Sequence, residues 1–111
     1  MERTFAETSV FSKKWSEMGL TDDDLQELQA RLLKNPDIGD IIQGTGGARK
    51  VRFALSGRNK GKSGGARIIY VDVVFIEQTH LLFCYPKGSQ DNLTDSQKKQ
   101  LKAYIKTLKG E

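Results

Sequence analysis

Histidine and cysteine, which carry much of the nucleophilic, acid–base and metal chemistry of enzymes, occur once each in this chain of 111 residues. A single cysteine, Cys84, excludes an internal disulfide framework and suits a reducing cytoplasm. Cys84 and the lone histidine, His80, cannot furnish a zinc site of the usual spacing. Their separation along one strand does not make a catalytic dyad either. Cys84 therefore reads as a small core residue and His80 as structural. No apolar run approaches the ~18 residues of a membrane span. The opening segment MERTFAETSVF has no apolar signal-peptide core. The expectation is a single domain over residues 1–111, cytoplasmic, without a membrane partner, metal or cofactor.

Acidic residues are missing from one stretch. Residues 41–71 contain no Asp or Glu but seven cations: Arg49, Lys50, Arg52, Arg58, Lys60, Lys62 and Arg67. The whole chain has 18 basic and 14 acidic side chains, a net of +4, so the other 80 residues sum to about −3. The positive charge is focused, and the general surface is not basic. The same stretch holds seven glycines. Arginine forks and lysine point charges bind phosphate oxygens, and glycine lets a backbone approach closely. A polyphosphate partner is the reading this favours over a merely solvated hairpin loop.

The pattern of apolar residues outlines the elements. Residues 3–7 read as a short strand. Phe11, Trp15 and Met18 share one helical face, stopped by Gly19. Thr21 starts a second helix with Asp22, Asp23 and Asp24 in its first turn, where the helix dipole favours negative charge. That placement explains the acidic triplet better than metal binding does. Leu20 and Leu25 are spaced as a hydrophobic staple, Leu25, Leu28 and Leu32 form a buried stripe, and Pro36 ends the helix. Val51, Phe53 and Leu55 alternate with Lys50, Arg52 and Ala54, so one strand face is apolar and the other carries cations. RIIYVDVVF (67–75) reads as a central strand covered on both faces, and HLLFCY (80–85) as another strand. Thr94 and Gln97 have capping-box spacing for a last helix along Leu101, Tyr104, Ile105 and Leu108. The order is β-α-α-β-β-β-α. This is an α+β fold, with a small antiparallel sheet and helices packed on one face.

The run Gly57–Ser63, GRNKGKS, mimics the phosphate loop GxxxxGK[ST] but is one residue short. A strand follows it, where the phosphate loop needs the free N–H groups of a helix start. Nucleotide triphosphatase activity is therefore rejected. A Gly/Lys turn between antiparallel strands suits a nucleic-acid backbone better.

The element order, the segments GDIIQGTGGARKVR and KGKSGGARIIY, and the closing YPKG…LTDSQKKQL resemble the RelE/HigB toxins of type II toxin–antitoxin pairs, the HigB-like branch in particular. The resemblance runs from Phe5 to about Leu108. It implies a RelE-like fold and a ribosome-dependent ribonuclease that cleaves messenger RNA in the ribosomal A site. It also implies a helix-turn-helix antitoxin as partner, with operator DNA bound only through the antitoxin complex. By the same resemblance, Lys50 and Arg52 would orient the scissile phosphate or handle the 2′-hydroxyl proton. Arg67 would stabilise transition-state charge. Tyr85 and Lys87 would lie near the cleaved nucleotide. The best-known members carry an arginine where this chain reads Lys87-Gly88, which leaves the proton donor to the 5′-oxygen open. Independently of the resemblance, Arg49 and the glycine-flanked Arg58, Lys60 and Lys62 of the basic run are expected to contact RNA or ribosome backbone.

The chemistry does not need histidine. Alignment of the 2′-oxygen with phosphorus lowers the barrier by several kcal/mol, and arginines aimed at developing charge lower it further. Neighbouring cations favour a neutral amine, so Lys50 between Arg49 and Arg52 is a candidate base. Tyr85 reads either as a platform for a messenger base or as a half-buried core tyrosine. Two other function classes stay open: a non-catalytic RNA- or ribosome-binding module, and an inactive family member that acts in antitoxin binding and operator control.

Overall fold

In the computed structural model, which describes residues 3–54, 65–90 and 92–111, five strands form one sheet. The elements are β1 (Thr4–Glu7), α1 (Ser9–Glu17), α2 (Asp22–Lys34), β2 (Asp40–Ile41), β3 (Arg49–Phe53), β4 (Ala66–Val73), a 3-10 turn (Val74–Ile76), β5 (Gln78–Pro86) and α3 (Asp95–Leu108). The α+β class and the element order match the expectation, with the two-residue β2 added. Leu55 and the turn cations Arg58, Lys60 and Lys62 lie outside the described residues.

Local chemistry sets the helix ends. The Thr8 side chain accepts a hydrogen bond from the Phe11 amide at 3.0 Å and caps α1. Gly19 follows the helix with φ +77, a conformation that costs glycine little. The Thr21 hydroxyl accepts from the Asp24 amide while the Asp24 carboxylate accepts from the Thr21 amide. Asp24 is thus spent on a capping box, in line with the helix-start reading of the triplet. Thr94 and Gln97 repeat the motif at α3. The Trp15 indole N–H donates to the Thr21 carbonyl at 3.1 Å and ties the corner between α1 and α2.

Two features of the sheet differ from the sequence expectation. The strand order is β1-β5-β4-β3-β2, and β1 pairs with β5 in parallel rather than antiparallel. The chain reaches this pairing because α1 and α2 intervene before the antiparallel strands are laid down. Arg3, at the entry to β1, is buried in a 3.0 Å ion pair with Asp72, which also accepts from the Thr79 hydroxyl at 2.8 Å.

The helices also divide between the two faces of the sheet instead of sharing one. On the first face, Phe11 and Trp15 of α1 and Leu28 and Leu32 of α2 pack with Val51, Phe53, Ile68 and Tyr70. On the second, Ile105, with Leu101 and Leu108 of α3, packs with Ile69, Val71, Val73 and Leu82. The physical reason is β4 itself. Its side chains are apolar on both faces, and at ~25 cal/mol per Å² neither face is stable in water. A register shift at Ile69/Tyr70 sets Ile69 against Phe83 and Tyr70 against Leu81. Leu82 is the extra residue, and both Leu82 and Phe83 join the second cluster.

Candidate functional site

Strand β3 sends Val51 and Phe53 into the first core, so Lys50 and Arg52 project from the opposite face. In the β3–β4 ladder Arg52 is paired with Arg67 and Lys50 with Ile69. Arg67 is in turn paired with Tyr85 of β5. The second face therefore carries two rows across the strands: Arg52–Arg67–Tyr85, and Lys50–Ile69–Phe83. Beyond β3, Asp40 of β2 extends the second row, paired with Lys50. Ile38, Asp40, Lys50, Val51, Arg52 and Arg67 line a single cleft of about 480 Å³.

Two arginines directly opposite each other on adjacent strands cost roughly 0.2–1 kcal/mol, since like charges there repel. Among the described residues no ion pair or side-chain hydrogen bond engages Lys50, Arg52 or Arg67. With respect to the described residues, their donors are available to an anion in the cleft. Glycine geometry holds the rim: Gly65, which precedes β4, has φ +106, and a Cβ there would sit 3.0 Å from the Phe53 carbonyl oxygen. The Lys87 amide donates to the Gly65 carbonyl at 3.2 Å. Exposed Lys87 is thereby tied to the strand ends where Arg52 and Arg67 lie.

Two residues expected at the site, Arg49 and Tyr85, do not line the cleft. Arg49 alternates to the other side of β3. Its guanidinium donates to the Gly39 carbonyl at 2.7 Å and lies 3.5 Å from the Asp37 carboxylate. It belongs to the support of the loop before β2, because strand alternation turns it away from Lys50 and Arg52. Tyr85 is 3% exposed and packs beside Phe83 in the second core, with ring centroids 5.8 Å apart. This is the core placement that the sequence also allowed for Tyr85.

The loop before β2 is the part of the site that sequence reasoning missed. The Tyr70 hydroxyl accepts from the Gly39 amide at 3.0 Å and donates to the Pro36 carbonyl at 2.7 Å. Tyr70 is fully buried. Burial pushes its pKa up, partly offset by the Gly39 hydrogen bond and the Arg49 charge. A Cβ on Gly39 would lie 2.9 Å from the Lys50 carbonyl oxygen and 3.0 Å from the Tyr70 ring. Tyr70, Arg49 and Gly39 thus fix Ile38 and Asp40 as one wall of the cleft. The sequence signal was slight: an isolated glycine before Asp40, in a segment too short to show alternation.

His80 and Cys84 are elsewhere. The His80 ring bonds the Gln78 side chain at 2.8 Å and meets the edge of Tyr104, and burial lowers its pKa. Cys84 is buried against α1 with its pKa pushed up to about 12 by burial, so its thiol stays protonated. No helix among the described residues is long and apolar enough to cross a membrane.

No protein-family model matches the chain. Its fold is similar to a solved structure of the Escherichia coli toxin RelE, a double arginine-to-alanine mutant in the free state. The TM-score is 0.57, at 15% sequence identity, over 81% of this chain and 88% of that one. The architecture is therefore RelE-like.

Proposed function

We propose that this chain is the toxin of a type II toxin–antitoxin pair, of the HigB-like branch, and that it cleaves messenger RNA in the A site of the ribosome. The observation that carries the proposal is the Arg52–Arg67 pair beside Lys50. Three cations that no ion pair engages among the described residues sit on strands of a RelE-like sheet, at a small cost in stability. Such a cluster is suited to a phosphate at which charge develops. The proposed partners are the ribosome with its messenger and a helix-turn-helix antitoxin, through which alone the pair meets operator DNA. The proposed location is the cytoplasm.

In the proposed reaction the 2′-oxygen of one nucleotide bonds to the adjacent phosphorus as the bond from phosphorus to the 5′-oxygen breaks. Lys50, beside the scissile phosphate, handles the 2′-hydroxyl proton. Arg52 and Arg67 neutralise the extra charge on the phosphoryl oxygens. Lys87, exposed at the strand ends, is the proton donor to the departing 5′-oxygen. The products are a 2′,3′-cyclic phosphate and a 5′-hydroxyl. The cations of the glycine-rich segment, Arg58, Lys60 and Lys62, hold ribosomal or messenger backbone.

The test is induced expression of the chain, with and without its neighbouring gene, while messenger 5′ ends are mapped. Growth should stop in the chain's presence alone, with cuts confined to translated regions. Normal growth at high expression with uncut messengers would return the protein to a non-catalytic RNA-binding or antitoxin-binding role.

A further inference from the structure

One residue of the cleft does not fit a pure phosphate site. Asp40 is exposed and lines the same cavity as Lys50, Arg52 and Arg67. A carboxylate there repels an RNA backbone. Although Asp40 is in direct register with Lys50, no ion pair within 4.0 Å joins them. Aspartate is also disfavoured in strands. Yet the structure holds this residue firmly, through the Tyr70 and Arg49 hydrogen bonds to Gly39 next to it in sequence. Beside it, Ile38 leaves an apolar side chain 41% exposed on the cleft wall.

Resting on the proposal that the substrate is RNA, we infer that Ile38 and Asp40 form a base-reading wall and that the base read there is guanine. The cleft has three kinds of surface in sequence: cations at Arg52 and Arg67, an apolar face at Ile38 and an acceptor-only group at Asp40. Asp40 and Arg67 are separated by two strand spacings and two residues along the strands, a distance of roughly 12 Å between their backbones. A nucleotide offers matching parts in the same order, a phosphate, a flat base and a polar base edge. An ionised carboxylate accepts two parallel hydrogen bonds and donates none. Guanine places two donors side by side on its Watson–Crick edge, the ring N–H and the amino group. Adenine and cytosine set one amino donor beside a ring acceptor, and uracil sets one N–H between two carbonyl acceptors. Only guanine meets a carboxylate without opposing an acceptor to it. Ile38 covers the base face, and Tyr70 and Arg49 are positioning residues that act through the wall.

The experiment titrates the purified chain with guanosine, adenosine, cytidine and uridine 3′-monophosphates, followed by amide NMR shifts. Wild type should bind the guanosine nucleotide about tenfold or more tightly than the uridine one, the scale of one bidentate base contact. Asp40→Asn should bring the four within about threefold, whereas Arg67→Ala should weaken all four alike. Equal affinities for the four nucleotides in wild type, absence of binding, or an Asp40→Asn ranking like that of wild type would overturn the inference. So would Asp40→Asn slowing messenger cleavage equally at all sequences with unchanged ranking, since that marks a proton-transfer role. If nucleotides are discriminated as expected but no messenger is cut, the cleavage proposal fails and the base-reading wall stands.

Discussion

Arg67 is the residue whose placement is hardest to explain by folding. It faces Arg52 across the ladder, and no ion pair among the described residues engages either arginine. Replacing it by alanine should therefore leave stability within ~0.5 kcal/mol, the usual range for surface changes, or raise it slightly as the like-charge contact disappears. The same variant should lose ~100-fold or more in single-turnover cleavage, with ribosome binding kept within about tenfold. Urea denaturation read beside a binding titration and a cleavage time course decides the matter. Equal losses of affinity and rate would make Arg67 an anchor only and shift the chemistry to Lys50, Arg52 or Lys87. His80 behaves oppositely. Burial lowers its pKa below the ordinary 6.5, so the unfolded chain takes up a proton that the folded one resists. Its contribution to stability is complete above pH 6.5 and is lost as pH falls through that value toward the lower folded one. The urea midpoint of wild type should drop between about pH 7 and 5, and His80→Gln should remove part of that slope while leaving cleavage intact. Cleavage abolished by His80→Gln would contradict the histidine-free mechanism.

At the scale of elements, the wall before β2 is the feature most open to a clean test. Gly39 has no room for a side chain between the Lys50 carbonyl and the Tyr70 ring. Gly39→Ala should push β2 away from β3 and cost ~1–3 kcal/mol through overpacking. Tyr70→Phe removes the shared partner of the Gly39 amide and the Pro36 carbonyl, which should cost ~1–3 kcal/mol for the buried groups left behind. Amide exchange would reveal which element yields: Gly39 and Lys50 should lose protection first, with α3 unchanged. Uniform loss across the sheet would mean the wall is not a separable unit. Much of the element pattern was readable in the sequence, for definite reasons. Phe11, Trp15, Leu28 and Leu32 are spaced for a buried helical stripe, and Thr21 and Thr94 announce their helices. The paired Lys50 and Arg52 were legible as one strand face because Val51 and Phe53 alternate with them. The doubly apolar β4 already demanded cover on both faces, yet the sequence reading put all helices on one. The parallel β1–β5 pairing depends on two elements far apart in the chain, which no local pattern encodes. The bulge at Leu82 breaks alternation within HLLFCY, so the sequence leaves Tyr85 open between a base platform and a core residue, and the structure buries it. Arg49 shares the charge of Lys50 and Arg52 but not their strand face, because parity turns it toward Asp37 and Gly39.

For the whole molecule, the decisive question is where affinity and chemistry reside. The net charge is only +4, but the stretch around β3 and β4 holds seven cations without an acid. Of these, Lys50, Arg52 and Arg67 sit on strands whose faces are fixed by two cores, while Arg58, Lys60 and Lys62 belong to the glycine-rich connection. A rigid sheet can hold a reacting phosphate within the tolerance that alignment requires. A backbone contact needs only charge, and each one lost lowers the salt slope of binding by about one unit. Changing Arg58, Lys60 and Lys62 together to alanine should therefore weaken ribosome binding strongly and reduce its salt slope by up to ~3 units. Cleavage by ribosome-bound protein, measured in single turnover at saturation, should stay within about tenfold of wild type. Free RNA should be cut poorly by both proteins, because cations alone do not align a flexible strand, and adding ribosomes should restore wild-type cleavage. Rapid cutting of naked RNA that EDTA abolishes would sink this division and require a metal-dependent reaction. A triple variant that binds as well as wild type, with an unchanged salt slope, would move the ribosome contact to the strand cations themselves.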